Sequence, residues 1–342
     1  MKGQGDQLPK RGLSERGDAS DAYDRARWAK GKPGPVKPRE ADGARGKSMT
    51  GRTVRLTEPS PSQPDRVSSV AWWNAMWSQA DFHYVERLED VRTQWELYEI
   101  VKFDYLRNLF STRQGTRSLE CGCGSAAVSL HFSKRGFDTV MLDFTPSALG
   151  MARRNFSAER TAGRFVQGDV GGMPFREGAF DVVMSFGLIE HFVDVRPIIQ
   201  EMVRALRPGG LLFVDIVPKR FNVQVLANLS FNWYVALAHG LLTGRPRQGW
   251  RRAREQFKPP YFENSFSMDQ YAGWMREAGL VDVHIAGNNP FPRLYLPGPL
   301  DRLFIRLMTG LLPWWRRFDA KQDGWLKKRW ARAWWAHGVK PA

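Results

Sequence analysis

Residues 118–135 read Ser-Leu-Glu-Cys-Gly-Cys-Gly-Ser-Ala-Ala-Val-Ser-Leu-His-Phe-Ser-Lys-Arg. A short apolar run, SLEC (118–121), ends in Gly122 and Gly124, one residue apart, and a helical pattern (125–135) starts directly behind them. Glycine lets the backbone turn tightly and approach a ligand with no Cβ in the way, and the helix N-terminus behind the turn presents unpaired N–H groups. Outward from this turn, TVMLDF (139–144), RFVQ (164–167), FDVVMSF (180–186) and GLLFVDIV (210–217) read as strands, and 146–157 and 195–206 as helices. SMDQYAGWMREAGL (267–280) and VDVHIA (281–286) supply one further helix and strand. Strand and helix in alternation predict an α/β fold with a parallel sheet covered on both faces.

The chain has 342 residues, of which 42% are hydrophobic, enough for one enzyme-sized domain with appendages. Its formal charge of +16 is uneven. Residues 1–66 carry 15 basic and 9 acidic groups, 67–215 carry 16 and 18, and 216–342 carry 20 and 8. A near-neutral middle with basic ends points to anionic partners for the ends, a membrane surface or nucleic acid. Two cysteines, Cys121 and Cys123, make no disulfide scaffold and fall short of a four-ligand zinc site, so no metal is expected and a reducing, cytoplasmic compartment is. The first 66 residues hold no apolar run of signal-peptide length.

The expected organisation is a disordered basic tail (1–66), a helical preface or substrate cap (67–115), a donor-binding core (116–217), an insertion or lid (218–262), a segment completing the sheet (263–290) and a basic, Trp-rich C-terminal extension (291–342).

Gly122-x-Gly124-x-x-Ala127, with Asp143 about 20 residues on, also fits a dinucleotide fingerprint, so the turn alone leaves NAD open. Three carboxylates separate the options. Glu120 lies two residues before the first glycine, where it could accept from the amino group of an amino-acid ligand rather than face a pyrophosphate. Asp143 closes the second strand. Asp169, in Gly168-Asp169-Val170 after the third strand and beside Met173-Pro174-Phe175, could accept from an adenine amino group while apolar neighbours pack the ring. All three lie on the edge where doubly wound folds bind ligands.

With these motifs the sequence resembles the class I S-adenosylmethionine-dependent methyltransferases, most closely the methyltransferase type 11 group. The likeness rests on Glu120-x-Gly122-x-Gly124, Asp143, Gly168-Asp169, the MPF turn, FDVVMSFGLIEHF (180–192) and LRPGG (206–210), and covers about 115–217. It implies a Rossmann-like, doubly wound, seven-stranded sheet, parallel except for one strand. It also implies S-adenosylmethionine as methyl donor, with Glu120, Gly122 and Gly124 in the methionine-binding loop, Asp143 at the ribose hydroxyls, Asp169 and Val170 at adenine, Ser185 and Phe186 on the sulfonium side, and Cys123 and Phe144 also among the donor-binding residues.

Methyl transfer from a sulfonium is a direct displacement, for which an acceptor hydroxyl benefits from a base. His191, in Leu188-Ile189-Glu190-His191-Phe192, follows the fourth strand and is the candidate base; capping the next helix is its other reading. His83, His131 and His239 read as packing or surface residues. Glu190 could touch substrate or stand exposed at a helix start. Asn288-Asn289-Pro290-Phe291 looks like an amino-methyltransferase motif but follows the wrong strand, and reads as a turn.

Phe221–Gly244 has no charged residue, yet Asn222, Gln224, Asn228, Asn232 and His239 interrupt it, which favours a lid or an interfacial helix over a span. Trp314, Trp315, Trp325, Trp330, Trp334 and Trp335 among Arg and Lys suggest a C-terminal helix either seated at anionic lipid on the inner face of the membrane or packed on the core with a solvated basic face. The expected function is methyl transfer to oxygen or carbon of a small-molecule, lipid-linked or glycan-linked acceptor. An RNA-modifying methyltransferase and a non-catalytic membrane adaptor are the alternatives.

Overall fold

The computed structural model describes residues 70–80, 82–111, 117–255, 261–321 and 324–342; the expected tail, 1–66, lies outside the described residues. Two helices come first, α1 (Val70–Gln79) and α2 (Gln94–Leu109). Then follow β1 (Arg117–Cys121), α3 (Ala127–Ser133), β2 (Asp138–Asp143), α4 (Pro146–Ala158), β3 (Arg164–Gln167), β4 (Phe180–Phe186), α5 (Arg196–Ala205) and β5 (Leu206–Ile216). The second half adds α6 (Val223–Ala227), a π turn (Asn228–Asn232), α7 (Trp233–Leu242), α8 (Pro246–Glu255), α9 (Met268–Glu277), β6 (Val281–Asn288), α10 (Gly298–Gly310), α11 (Leu312–Ala320), α12 (Trp325–Trp330) and β7 (Ala333–Val339).

The seven strands form one sheet in the order β3-β2-β1-β4-β5-β7-β6. β1 to β5 pair in parallel; β7 runs antiparallel between β5 and β6. This is the expected doubly wound, mostly parallel architecture. The chain leaves β1 toward β2 on one side and returns to β4 on the other, so the crevice at the carboxyl ends of β1 and β4 is the topological switch point.

Alternation along the central strands sets the two faces. Leu119, Cys121, Val183, Leu212 and Val214 pack with Ile198, Ile199 and Met202 of α5 and with Tyr271 and Met275 of α9. Val182, Met184, Leu211 and Phe213 face α2, α3, α10 and α11 through Leu97, Phe103, Phe132, Ile305 and Trp315. Strands buried on both faces read as near-continuous apolar runs, which is why these strands stand out in the sequence. α2 starts at a capping box: Thr93 Oγ1 accepts from Glu96 N, and Glu96 accepts in return from Thr93 N.

The C-terminal segment corrects the expected organisation. Residues 291–342 are not an appendage, because β7 sits inside the sheet and pairs Trp335 with Asp215 on one side and Ala286 on the other. Trp315, Trp334 and Trp335 are buried, so for them packing on the core holds and a seat at a lipid headgroup layer does not. The physical reason is the period-two alternation of Ala333-Trp334-Trp335-Ala336, which turns one indole to each face of the sheet. Asn288-Asn289-Pro290-Phe291 is, as expected, a turn leaving β6; Asn289 N donates to Asp319 Oδ1 (3.0 Å) and Trp330 Nε1 to Pro290 O (2.8 Å).

Candidate functional site

The β1–α3 loop carries the site. Gly122 (φ +65°) and Gly124 (φ +51°) take left-handed conformations that a Cβ would strain. Gly122 N and Cys123 N both donate to Leu142 O of β2 (2.8 and 3.1 Å), tying the loop to the neighbouring strand. A Cβ on Gly122 would meet Leu188, and one on Gly124 would meet the ring of Trp77 at 2.5 Å. The glycine backbone is therefore faced by side chains of α1 and of the loop after β4.

Asp143 stands at the end of β2 and joins two loops. Its Oδ2 accepts from Gly124 N (3.1 Å), and its Oδ1 accepts from Thr145 N and Thr145 Oγ1 (2.9 and 2.8 Å). Burial pushes its carboxyl above the usual range against the pull of these donors. Phe144 is half-buried behind it. Asp169 caps the 3₁₀ turn Val170–Gly172 after β3: Oδ1 accepts from Gly171 N (2.9 Å), Oδ2 has no partner among the described residues, and Val170 beside it is buried. Glu120 is buried in β1, where its Oε2 accepts from Ser129 N of α3 (3.0 Å), and burial pushes its carboxyl up to about 7. Cys123 is buried and its thiol is held well above its ordinary value by the same cause, so it is an inert packing group.

The end of β4 divides the expected pair Ser185 and Phe186. Ser185 is buried inside the sheet, its Oγ without a partner among the described residues, whereas Phe186 reaches the edge and carries Lys102 Nζ at 4.9 Å over its ring. Glu190 is buried rather than exposed at a helix start; Oε1 accepts from Val217 N (3.2 Å) and Oε2 has no partner among the described residues. His191 Nδ1 lies 2.8 Å from Phe262 O, so Nδ1 carries the proton in the neutral ring and Nε2 carries the lone pair. Burial lowers its pKa despite the raising pull of the Phe262 and Gly187 carbonyls. His131, by contrast, is a packing residue, stacked on Phe103 at 4.1 Å.

The carboxyl edge of the sheet thus gathers Gly122, Gly124, Asp143, Asp169, Phe186 and His191, while Glu120 and Ser185 lie beneath it. Two features escape a reading of the sequence. The first is the set of contacts made by α1, within the expected helical preface: Trp77 covers Gly124, Asn74 Oδ1 accepts from Ser147 N and Ser147 Oγ (3.1 and 2.7 Å), and Trp73 meets His191 at 4.9 Å. Tyr261 closes the same aromatic group, 5.4 Å from both His191 and Trp72. The second is a buried charge cluster in which Lys102 Nζ bridges Glu99 Oε1 (3.2 Å) and Asp215 Oδ2 (3.1 Å). Those two carboxylates overcome burial and hold the ammonium above its usual pKa. The cluster's signal was Asp215 within the otherwise apolar GLLFVDIV of β5.

A family model described as a methyltransferase domain matches residues 119–214, from β1 to β5. These residues are a class I S-adenosylmethionine-dependent methyltransferase domain. The methyltransferase domain is 31% identical over 109 residues to the malonyl-[acyl-carrier protein] O-methyltransferase of Enterobacter lignolyticus, covering 32% of this chain and 42% of that one. A demethylmenaquinone methyltransferase of Thermus thermophilus is 38% identical over 97 residues, 28% of this chain and 44% of its own. The ubiquinone biosynthesis O-methyltransferase of Xanthomonas euvesicatoria is 24% identical over 231 residues, 66% of this chain and 83% of that one. The chain thus spans less than half the length of the first two relatives. Among solved structures, phosphoethanolamine N-methyltransferase 2 of Haemonchus contortus in complex with S-adenosyl-L-methionine aligns at a TM-score of 0.48 and 15% identity, covering 82% of this chain and 59% of that one.

The methyltransferase domain's own residues fit such a donor. Backbone free of Cβ atoms lines the switch point, Asp169 keeps a carboxylate oxygen with no partner among the described residues beside buried Val170, and Asp143 closes the neighbouring strand.

Proposed function

We propose that the chain transfers a methyl group from S-adenosylmethionine to an oxygen or carbon of a small-molecule, lipid-linked or glycan-linked acceptor. The single observation that carries this reading is the placement of His191, with its Nε2 lone pair, at the same sheet edge as the glycine loop, Asp143 and Asp169. A bound donor supplies a methyl group already activated on sulfur. Glu120 and the Gly122–Gly124 backbone then hold the amino-acid end, Asp143 with Phe144 the ribose, Asp169 with Val170 the adenine, and Phe186 the sulfonium side. The names of two relatives, a ubiquinone biosynthesis O-methyltransferase and a malonyl-[acyl-carrier protein] O-methyltransferase, support transfer to an oxygen.

The protein's main task in such a reaction is to exclude water and hold the acceptor in line, worth up to roughly 7–11 kcal/mol in favourable intramolecular cases. α1, with Trp73 and Trp77 over the crevice, supplies the exclusion. His191 takes the acceptor proton at Nε2, a contribution of about 10²- to 10⁴-fold for a hydroxyl acceptor. Because burial lowers its pKa from 6.5, the ring stays neutral and base-competent below that value, and activity on a hydroxyl falls only as pH drops further.

Release of S-adenosylhomocysteine with quinol-like, polyketide-like and glycan hydroxyl acceptors tests the reading. Turnover with one of them, an acid limb below pH 6.5, and a His191→Asn variant that binds donor normally but loses at least about 10²-fold in kcat are the expected results. An unchanged kcat in His191→Asn would remove the base role.

A further inference from the structure

Past β5 the chain enters one helical rod, Val223–Leu242, built from α6, the π turn and α7, which reverses at Gly244 (φ +66°) and returns as α8. The root of the rod is pinned to the body. Gln224 Nε2 and Asn232 Nδ2 donate to Arg293 O (3.0 and 2.9 Å), while Arg293 N and Tyr295 N donate back to Gln224 Oε1 and Asn232 Oδ1 (2.7 and 2.9 Å). The distal part is held by its return helix: α7 and α8 cross at Gly240 and Gly249, where a Cβ on either would lie within 3 Å of the other's Cα. Arg252 Nη1 meets His239 Nδ1 at 3.2 Å, and Trp233 packs on Trp250 at 6.2 Å.

The tip of this hairpin has an unusual surface. Leu241 and Leu242 are 68% and 88% exposed, and Trp250 is 57% exposed. Around them stand Arg245, Arg247, Arg251 and Arg254, all exposed. Residues 221–255 hold five arginines and one acid, Glu255, which lies 3.8 Å from Arg251. Exposed leucines at a helix end, a tryptophan behind them and an arginine collar are what a headgroup layer accommodates: acyl chains take the leucines, the interface takes the indole, and lipid phosphates meet the guanidinium groups. A second copy is a poor occupant, because it would bring two arginine collars together.

We propose that the α7–α8 hairpin is an interfacial finger that seats the protein on an anionic phospholipid bilayer through Leu241, Leu242, Trp250 and the surrounding arginines. The finger does not span. With Asn222, Gln224, Asn228 and Asn232 committed to hydrogen bonds, only α7 (10 residues) stands clear of the body. At about 1.5 Å per residue it reaches about 15 Å, half of the roughly 30 Å of a hydrocarbon core, whereas an interfacial helix needs only about 5–10 Å of depth. The rod starts seven residues after β5, so docking brings the carboxyl edge of the sheet close to the lipid.

The full chain is floated with vesicles of equal parts phosphatidylcholine and phosphatidylglycerol, and with vesicles of phosphatidylcholine alone. Binding to the mixed vesicles, weakened by salt, is expected. The Leu241→Glu/Leu242→Glu pair lowers partitioning at least about tenfold, and Arg245→Gln/Arg247→Gln/Arg251→Gln flattens the salt dependence. Leu303→Glu/Leu307→Glu on exposed α10 binds as the unchanged protein does. In the unsubstituted chain, brominated phospholipid quenches tryptophan emission, and Trp250→Phe reduces that quenching. Failure of the unsubstituted chain to float, equal flotation of the Leu241/Leu242 variant, or a dimer that this variant converts to monomer would each overturn the proposal. Unaltered S-adenosylmethionine binding by the variants reports an intact fold and keeps this test separate from that of the methyl-transfer reading.

Discussion

Glu120 and Asp143 show how much of a ligand-edge carboxylate's role is structural. Asp143 holds Gly124 N and Thr145 N in the same grip, so Asp143→Ala loosens two loops as well as any ribose contact. Glu120 separates the two effects better, since a glutamine oxygen there can still accept from Ser129 N. Burial raises its folded pKa to about 7 from 4.5, so the carboxyl favours the native state at low pH and that contribution is lost as pH rises from 4.5 through 7. Free of donor, Glu120→Gln is expected to gain up to about 3 kcal/mol over the unsubstituted protein at pH 8 and nothing at pH 4, as read by urea titration. In the same variant donor affinity falls at least about tenfold, by calorimetry, if the carboxylate receives the donor's amino group. At this scale the sequence was legible wherever a motif fixes a strand end: Gly122, Gly124, Asp143 and Asp169 all stand at the expected edge. Ser185 and Phe186 are adjacent in β4 and point to opposite faces, so an expectation that both line the crevice could hold for only one of them.

The elements were legible in proportion to how locally their order is specified. β3 and β4 fall on RFVQ and FDVVMSF residue for residue, and α4 starts at Pro146 as its pattern suggests. β7 was not legible, because AWWAHGV becomes a strand through pairing with β5, more than 100 residues earlier, and with β6. Its tryptophans and the arginines before it look like an interfacial helix until the sheet is assembled. Since β7 lies between β5 and β6, a chain ending at Ala331 opens the sheet and leaves β6 unpaired. Such a chain is expected to show no cooperative thermal transition, and a normal melting curve would contradict the sheet order. The sequence pattern gives α1 as a helix but not its contacts, since nothing in VAWWNAMWSQ states that Trp77 meets Gly124 or that Trp73 meets His191. Trp77→Ala is expected to speed donor dissociation at least several-fold in stopped-flow fluorescence; an unchanged rate would mean that α1 does not gate the crevice.

Over the whole molecule, composition and structure divide the labour differently from the sequence pattern. The near-neutral stretch 67–215 contains the domain's ligand edge, while the cationic excess of 216–342 is spent in part on the core, where Lys327 is buried, and in part on the exposed collar of the α7–α8 hairpin. The distribution of basic charge along the sequence therefore does not tell which cations are buried and which are exposed. Everything proposed for the ligand edge depends on the β1–α3 turn, which a dinucleotide could also use, receiving a sulfonium nucleoside. Isothermal titration of the full chain with S-adenosylmethionine, S-adenosylhomocysteine and NAD decides the matter: micromolar binding of both sulfur ligands and none of NAD is expected, and binding of NAD alone would overturn the donor assignment.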